Sequence, residues 1–409
     1  MSIPPSLVHE LHRRIHAKPR PPRYEPVPVR ELLQILNKYL RKFVELGTYG
    51  YLSKDDVVLL SIVDLEHRLD EYSYQLLLHM SIAVSHDIHD VWKATPIYMY
   101  VFSVDKVMDA FKDLASLALH QVHPSPRLQN YVAWVSDVVT AKIRGAKLPY
   151  NRFELLRSEY GIDIVAVYRG GDWVLDTARG EIKKHDVLYV RGPKDNVKQL
   201  FIDSGTEFNE GTEPPPRAAQ VLRTLDTFLD MVLLLNDLAH YQLLAQDPLL
   251  GDELLELESY IDSLRISLVR ELIVLEDLDA VDRLALLNLV TRLEDVADAL
   301  TYITMLPAQD EYRDIIAEIF EASDEKLKLF IARSSVPVDK LMKLAEDLGI
   351  VILAVKRERV GEWVAATPVN IRSLKIDEGD RILVSYSTSI EREVFEQLRS
   401  IGLEPSTSP

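Results

Sequence analysis

Eight carboxylates stand in four pairs, each pair spaced by four residues: Glu66 and Asp70, Asp105 and Asp109, Glu258 and Asp262, Glu294 and Asp298. In a helix, residues i and i+4 share one face, one turn apart. Two like charges there destabilise an isolated helix by a few tenths of a kcal/mol. Each acid directly follows an apolar residue: Leu65 and Leu69, Val104 and Met108, Leu257 and Ile261, Leu293 and Ala297. One step along a helix turns about 100° around its axis. The acids are therefore expected beside the packed seam or on the outer face, not in the core. Where two such helices meet, their carboxylates can clamp a hard or borderline cation, such as iron, zinc, magnesium or manganese. The plainer alternative is a solvated acidic face on a chain of net charge −17.

Other residues with chemical potential read more simply. His86-Asp87-Ile88-His89-Asp90 places His86 and Asp90 one turn apart, but nothing in the second half of the chain corresponds to it, and a polar helix end is expected. Arg169 and Arg357 each end an apolar run. Guanidinium forks suit phosphate, yet a structural ion pair or turn hydrogen bond is the expectation. Trp173 and Trp363 read as core or interface aromatics. There is no G-x-G-x-x-G, no lysine-rich phosphate loop, no H-E-x-x-H and no recognisable Ser/His/Asp grouping. No catalytic residue is assigned, and no catalytic histidine or serine is expected beside the acids. A non-enzymatic role is expected.

Composition narrows the classes further. A body this acidic repels phosphodiester backbones, so no nucleic-acid partner is expected. The chain has no cysteine, which removes disulfides, thiolate metal sites and cysteine nucleophiles and fits a reducing cytoplasm. No apolar run approaches the roughly 18–20 residues that span a bilayer. A soluble, cytoplasmic protein is expected.

The elements that must position these residues show two periods. Residues 1–28 are basic and proline-rich and read as a flexible arm. From Val29 the residues Leu32, Leu33, Leu36, Leu40, Phe43 and Val44 form a helical stripe, punctuated by Gly47 and Gly50. Ser53, followed by Asp55 and Asp56, marks a helix start. Ile62, Leu65, Leu69, Tyr72 and Leu76 give the next stripe, and a third helix is expected over about residues 98–119. Short β-branched runs follow at 138–139, 162–167, 173–175 and 187–190, with short helices at about 150–159 and 194–202. After a Pro/Gly/Glu-rich linker, long helices recur at about 217–245, 250–274 and 279–306, with another expected at 308–322. The expected organisation is an arm (1–28), a helical bundle (29–135), an α+β module (136–206), a linker (207–216), a second bundle (217–322) and a second module (323–405).

The second half repeats the first. Gly161-Ile-Asp-Ile-Val-Ala-Val-Tyr-Arg169 returns as Gly349-Ile-Val-Ile-Leu-Ala-Val-Lys-Arg357. Upstream, Pro149 falls on Pro337 and Leu156 on Leu344. Downstream, after a two-residue insertion, Trp173-Val174 falls on Trp363-Val364 and Thr177 on Thr367. Leu65-Glu-His-Arg-Leu-Asp70 likewise aligns with Leu257-Glu-Ser-Tyr-Ile-Asp262, and Asp105-Lys-Val-Met-Asp-Ala110 with Glu294-Asp-Val-Ala-Asp-Ala299. The fold class expected is therefore α+β, with an internal duplication.

The module, with its Val-rich strand ending in Arg and its Gly379-Asp380 turn before a last strand, resembles the TrkA C-terminal (RCK-C) domain of potassium-channel and transporter regulators. The first copy departs from that pattern, with His185-Asp186 where Gly-Asp is usual. The helical halves, through their E/D-x-x-x-D pairs, resemble PhoU-like bundles, in which such pairs bind metal ions on the bundle surface. The combined resemblance implies two PhoU-like bundles alternating with two RCK-C modules. RCK-C modules pair as dimers, so the two copies here are expected to pair internally, as a pseudo-dimer, or between chains. It further implies regulation of potassium or other cation transport, with a potassium channel or transporter as membrane partner. The ligand class it suggests is an ion or a cyclic dinucleotide, and the pocket residues are not assigned. No nucleotide-binding Rossmann domain precedes the modules, so gating by NAD or ATP is not carried over. The alternative is a PhoU-like, metal-binding role in phosphate or metal homeostasis, with divalent or iron ions on the bundles. A metal-dependent hydrolase is the weakest third class.

Overall fold

The computed structural model describes residues 23–83, 88–175, 177, 180–245, 248–304, 325–348, 350–366, 374–387 and 390–406. The chain divides into two compact units. One combines Met1–Val135 with Glu210–Phe320, and the other combines Ser136–Asn209 with Glu321–Pro409. The fold is mixed α and β, with two antiparallel sheets. Among the described residues, no helix is long and apolar enough to cross a membrane.

The first unit is helical. Helices α1 (Val29–Ser53), α2 (Asp56–Ala83) and α3 (Ile88–Leu119) pack on one another, and α4 (Pro126–Val135) follows. Helices α7 (Pro216–Ala245), α8 (Pro248–Val274) and α9 (Ala280–Thr304) form a second mutually packed set. Helix α3 packs along α9, and α1 and α4 along α7, so the two sets share one body. The stripe from Leu32 to Val44 is buried along α1, as its spacing requires. Helix α3 begins ten residues before the expected start, and α4 was not anticipated. Residues 308–322 lie outside the described residues.

Two local expectations change. Gly47 and Gly50 do not interrupt α1 but lie inside it, tight against side chains of neighbouring helices. A Cβ at Gly47 would sit 2.2 Å from Cδ1 of Phe111, and one at Gly50 would sit 2.6 Å from Cγ1 of Val58. Ser53 is not the helix start either. Its hydroxyl donates to the Tyr49 carbonyl at 2.6 Å. Lys54 then turns the chain through the left-handed region, and Asp55 caps α2 by accepting the amides of Val57 and Val58 at 3.1 and 3.4 Å. At the other end of the arm, residues 23–25 lie against α2. Gln75 accepts the Glu25 amide and donates to the Arg23 carbonyl.

The second unit holds both sheets. Strands β1 (Val138–Arg144), β2 (Asp163–Arg169), β3 (Asp172–Val174) and β4 (Val187–Pro193) are ordered β1-β4-β2-β3, with helices α5 (Phe153–Tyr160) and α6 (Lys194–Asp203). Strands β5 (Glu325–Ala332), β6 (Val351–Arg357), β7 (Glu362–Ala365), β8 (Arg381–Ser387) and β9 (Leu403–Pro405) are ordered β7-β6-β8-β5-β9, with helices α10 (Val338–Leu348) and α11 (Glu391–Ser400). Without β9, the second order has the connectivity of the first. Both middle strands carry an irregularity at the same place, between Ile164 and Ala166 and between Ile352 and Ala354.

Each sheet has its own core. Ile164, Val167, Leu188 and Val190 pack with Leu156 and Leu200 of the helices. Ile352, Val355, Ile382 and Val384 pack with Leu341 and Leu398. Strand alternation puts Ala166 and Tyr189 on the opposite face of the first sheet, and Ala354 and Leu383 on that of the second. These four residues are buried as well, so neither sheet has a simple solvent face.

Candidate functional site

The acid pairs lie on α2, α3, α8 and α9, and the apolar residue before each acid is buried. Asp70, Glu258, Asp262 and Glu294 are half-buried, while Asp105, Asp109 and Asp298 are exposed. Their positions follow from the helical step. Glu66 departs from it. At 4% exposure it is enclosed between α2 and α3, not beside the seam. The reason is a cation brought by the neighbouring helix. Lys112 Nζ donates to Glu66 Oε1 at 2.6 Å and lies 3.5 Å from Asp109 Oδ1.

The first two pairs converge. Glu66, His67 and Asp70 each present one ligand atom, and these atoms lie within 4.8 Å of one another. Glu66 Oε2 is 3.5 Å from His67 Nδ1 and has no hydrogen-bond partner among the described residues. Burial, then the charges of Glu66 and Asp105, push the Asp70 carboxyl up to about 6, against the opposing pull of Lys112 and His67. Although Asp105 reaches solvent, partial desolvation at the crowded helix surface, then Asp109 and Glu66, also raise it against Lys112. Burial works against the Lys112 ammonium, but Glu66 and Asp109 outweigh it and hold its pKa above the usual lysine value. The site is a half-enclosed concentration of negative charge spanning two helices, with one tethered ammonium.

The second two pairs also approach each other, across α8 and α9. Arg265 Nη2 is 3.3 Å from Asp262 Oδ1, and its Nε is 3.4 Å from Glu294 Oε1. Burial is the first cause raising Glu258, followed by Asp262 and Asp298. Burial also raises Glu294, despite Arg265, with Asp298, Asp295 and Asp262 adding to it. Asp298, though solvent-exposed, rises through partial desolvation and then Asp262 and Asp295, opposed by Lys106 and Arg265. Among the described residues, Glu66, His67 and Asp70 form the convergent ligand group, and the second-half acids do not close to that spacing. Arg292 ties the halves together, 2.8 Å from Asp295 and 3.5 Å from Asp113 on α3.

Sequence reasoning passed over His67, Lys112 and Arg265. The signal for His67 was present, since it follows Glu66 and precedes Asp70 by three residues on the same helix. His67 thus joins the acids as a candidate ligand, a role the acid pairs alone did not suggest. Lys112 lies on another helix from Glu66, so only packing reveals the pair. His86 and Asp87 lie outside the described residues, as do Gly349 and Thr367 of the repeat.

In each module the aspartate of the repeated turn is held by local hydrogen bonds. Arg169 makes a two-pronged ion pair with Asp186: Nε to Oδ1 at 2.8 Å and Nη2 to Oδ2 at 2.7 Å. Asp186 is buried and also accepts the Lys183 amide at 2.7 Å. Burial pushes its carboxyl up, but Arg169 and the Lys183 amide outweigh this and hold it below the usual range. In the second module Asp380 accepts the Asp377 amide in the same way and takes the Glu358 amide instead of a guanidinium. Arg357 is exposed. Trp173 packs between Tyr168 and Tyr189, with both ring-centroid distances 5.2 Å.

A scan of protein-family models finds no match to this sequence, and a search of curated proteins finds no significant relative.

Proposed function

We propose that this chain is a non-catalytic, cytoplasmic regulator of potassium or other cation transport, formed by internal duplication of a bundle-plus-module unit. The observation that carries the reading is that like packs with like. The order along the chain is bundle, module, bundle, module, yet the helical segments assemble in one unit and both sheets in the other. The shared strand connectivity and the matching irregularities at Val165 and Leu353 support descent from one unit. The buried second faces, with Ala166 and Tyr189 on one sheet and Ala354 and Leu383 on the other, support pairing of the two RCK-C-like modules. Such a pair mimics within one chain the dimer of a half-length protein. A ligand held by the pair acts only through different affinity for two arrangements of the modules.

The test has two arms. A thermal-shift panel of potassium and other ions, nucleotides and cyclic dinucleotides should show a concentration-dependent rise in midpoint for one class. Affinity capture from membranes of the source cells should recover a potassium channel or transporter. A flat panel together with recovery of no transport protein would sink the reading.

A second reading is favoured by the convergence of Glu66, His67 and Asp70. In it the helical unit binds divalent or iron ions and serves metal or phosphate homeostasis. The donor set fits such an ion, because a buried carboxylate oxygen and an imidazole nitrogen face the same space.

A further inference from the structure

We infer that the two acidic clusters of the helical unit are functionally unequal: Glu66, His67 and Asp70 hold one borderline divalent ion of the zinc, cobalt(II) or iron(II) class, whereas in the second cluster the Arg265 guanidinium takes the place of the ion. The inference rests on the metal-binding reading and deepens it by assigning stoichiometry and ion class.

The donor atoms differ between the clusters. The first offers two carboxylates and an imidazole, all within 4.8 Å. At the aligned place of His67 the second half has Ser259, so its acids offer oxygen only. Nitrogen in the donor set favours borderline transition metals over magnesium and calcium, which prefer oxygen alone.

The first cluster also has a vacancy in its hydrogen bonding. Glu66 Oε1 is taken by Lys112, but Oε2 is buried, has no hydrogen-bond partner among the described residues and lies 3.5 Å from His67 Nδ1. A buried carboxylate oxygen without a donor is costly. Ligation to a cation satisfies it while Lys112 stays on the other oxygen. Ser73, on the same stripe of α2 as Glu66 and Asp70, adds a buried hydroxyl with no hydrogen-bond partner among the described residues.

Both clusters hold a protein cation, but in the first Lys112 leaves Glu66 Oε2 open, whereas in the second the cation stands between the acids of the two helices. Ser73 aligns with Arg265, so a short neutral side chain in one half is a fixed cation in the other. Arg265 reaches Asp262 on its own helix and Glu294 on α9. A guanidinium keeps its charge at any working pH. An ion entering between these two acids must first displace it.

The experiment uses the full chain, stripped with a chelator and titrated with Zn2+ by calorimetry and with Co2+ by visible absorption. One equivalent per chain is expected. His67→Ala and Asp70→Asn should each weaken it at least about tenfold, in line with the loss of a ligand. Arg265→Ser should add a second, weaker equivalent, which Asp262→Asn in the same background removes. Circular dichroism checks that each variant is folded. Two equivalents in the unaltered protein would overturn the inequality and leave the metal reading standing. One equivalent that ignores both His67→Ala and Asp70→Asn would place the ion elsewhere and overturn the assignment. No binding of Zn2+, Co2+, Mn2+ or Mg2+ would remove the metal reading itself, and this inference with it.

Discussion

Lys112 Nζ lies 2.6 Å from Glu66 Oε1, and this contact joins α3 to α2 inside the helical unit. Glu66 is nearly enclosed, whereas Lys112 keeps about a fifth of its side chain in solvent. Removing the ammonium strands a buried carboxylate. Lys112→Met should therefore destabilise the chain by about 1–3 kcal/mol. The double change with Glu66→Gln should recover part of the loss. Urea denaturation of the single and double variants measures both.

Asp70 supplies a pH dependence of opposite sign to most folded-state carboxylates. Its carboxyl is raised from 3.8 to about 6 in the folded state. The folded chain thus binds the proton more tightly than the unfolded chain does. Stability from this group grows as pH falls from about 6 toward 3.8 and is lost as pH rises through 6. Asp70→Asn should raise stability at pH 7.5 by on the order of 1–2 kcal/mol after allowance for solvent screening. It should also flatten the profile between pH 4 and 6. Equal denaturation midpoints for the two proteins at pH 7.5 would refute this.

The Arg169–Asp186 pair predicts the reverse behaviour in the second unit. The Asp186 carboxyl is held below its ordinary value, so its contribution is present at neutral pH and is lost in acid, as pH falls below the usual carboxylate range. Arg169→Ala leaves Asp186 buried without its guanidinium and should cost about 2–3 kcal/mol. Trp173 lies on β3, beside the Arg169 end of β2, so its fluorescence should follow the loss.

Gly47 and Gly251 should respond to alanine in opposite directions. A Cβ at Gly47 meets the buried Phe111 ring, whereas at Gly251 the nearest group is Gln242 Nε2 at 3.7 Å, an ordinary contact. Gly47→Ala should cost about 1–3 kcal/mol through overpacking. Gly251→Ala, in α8, should gain roughly 0.5–1 kcal/mol from helix propensity. Thermal midpoints of the two variants provide the comparison.

The sequence alone determined the features that depend on neighbours along the chain. The helical stripe of α1, the strand runs of β2 and β6, and the placement of seven acids off the core all follow from period and step angle. Helix α4 was missed, because the proline cluster at 124–126 reads as a break although Pro126 suits a first helical turn. Gly47 read as punctuation, because the closeness of Phe111 is invisible from position 47. Only tertiary structure decided that Glu66 is enclosed, that Lys112 and Arg265 supply the two clusters with different cations, and that both sheets lie in one unit. Each of these depends on residues distant in the chain. A charge pattern fixes which helix face an acid occupies, but the desolvation and the counter-charge it meets there come from whichever helix packs against that face.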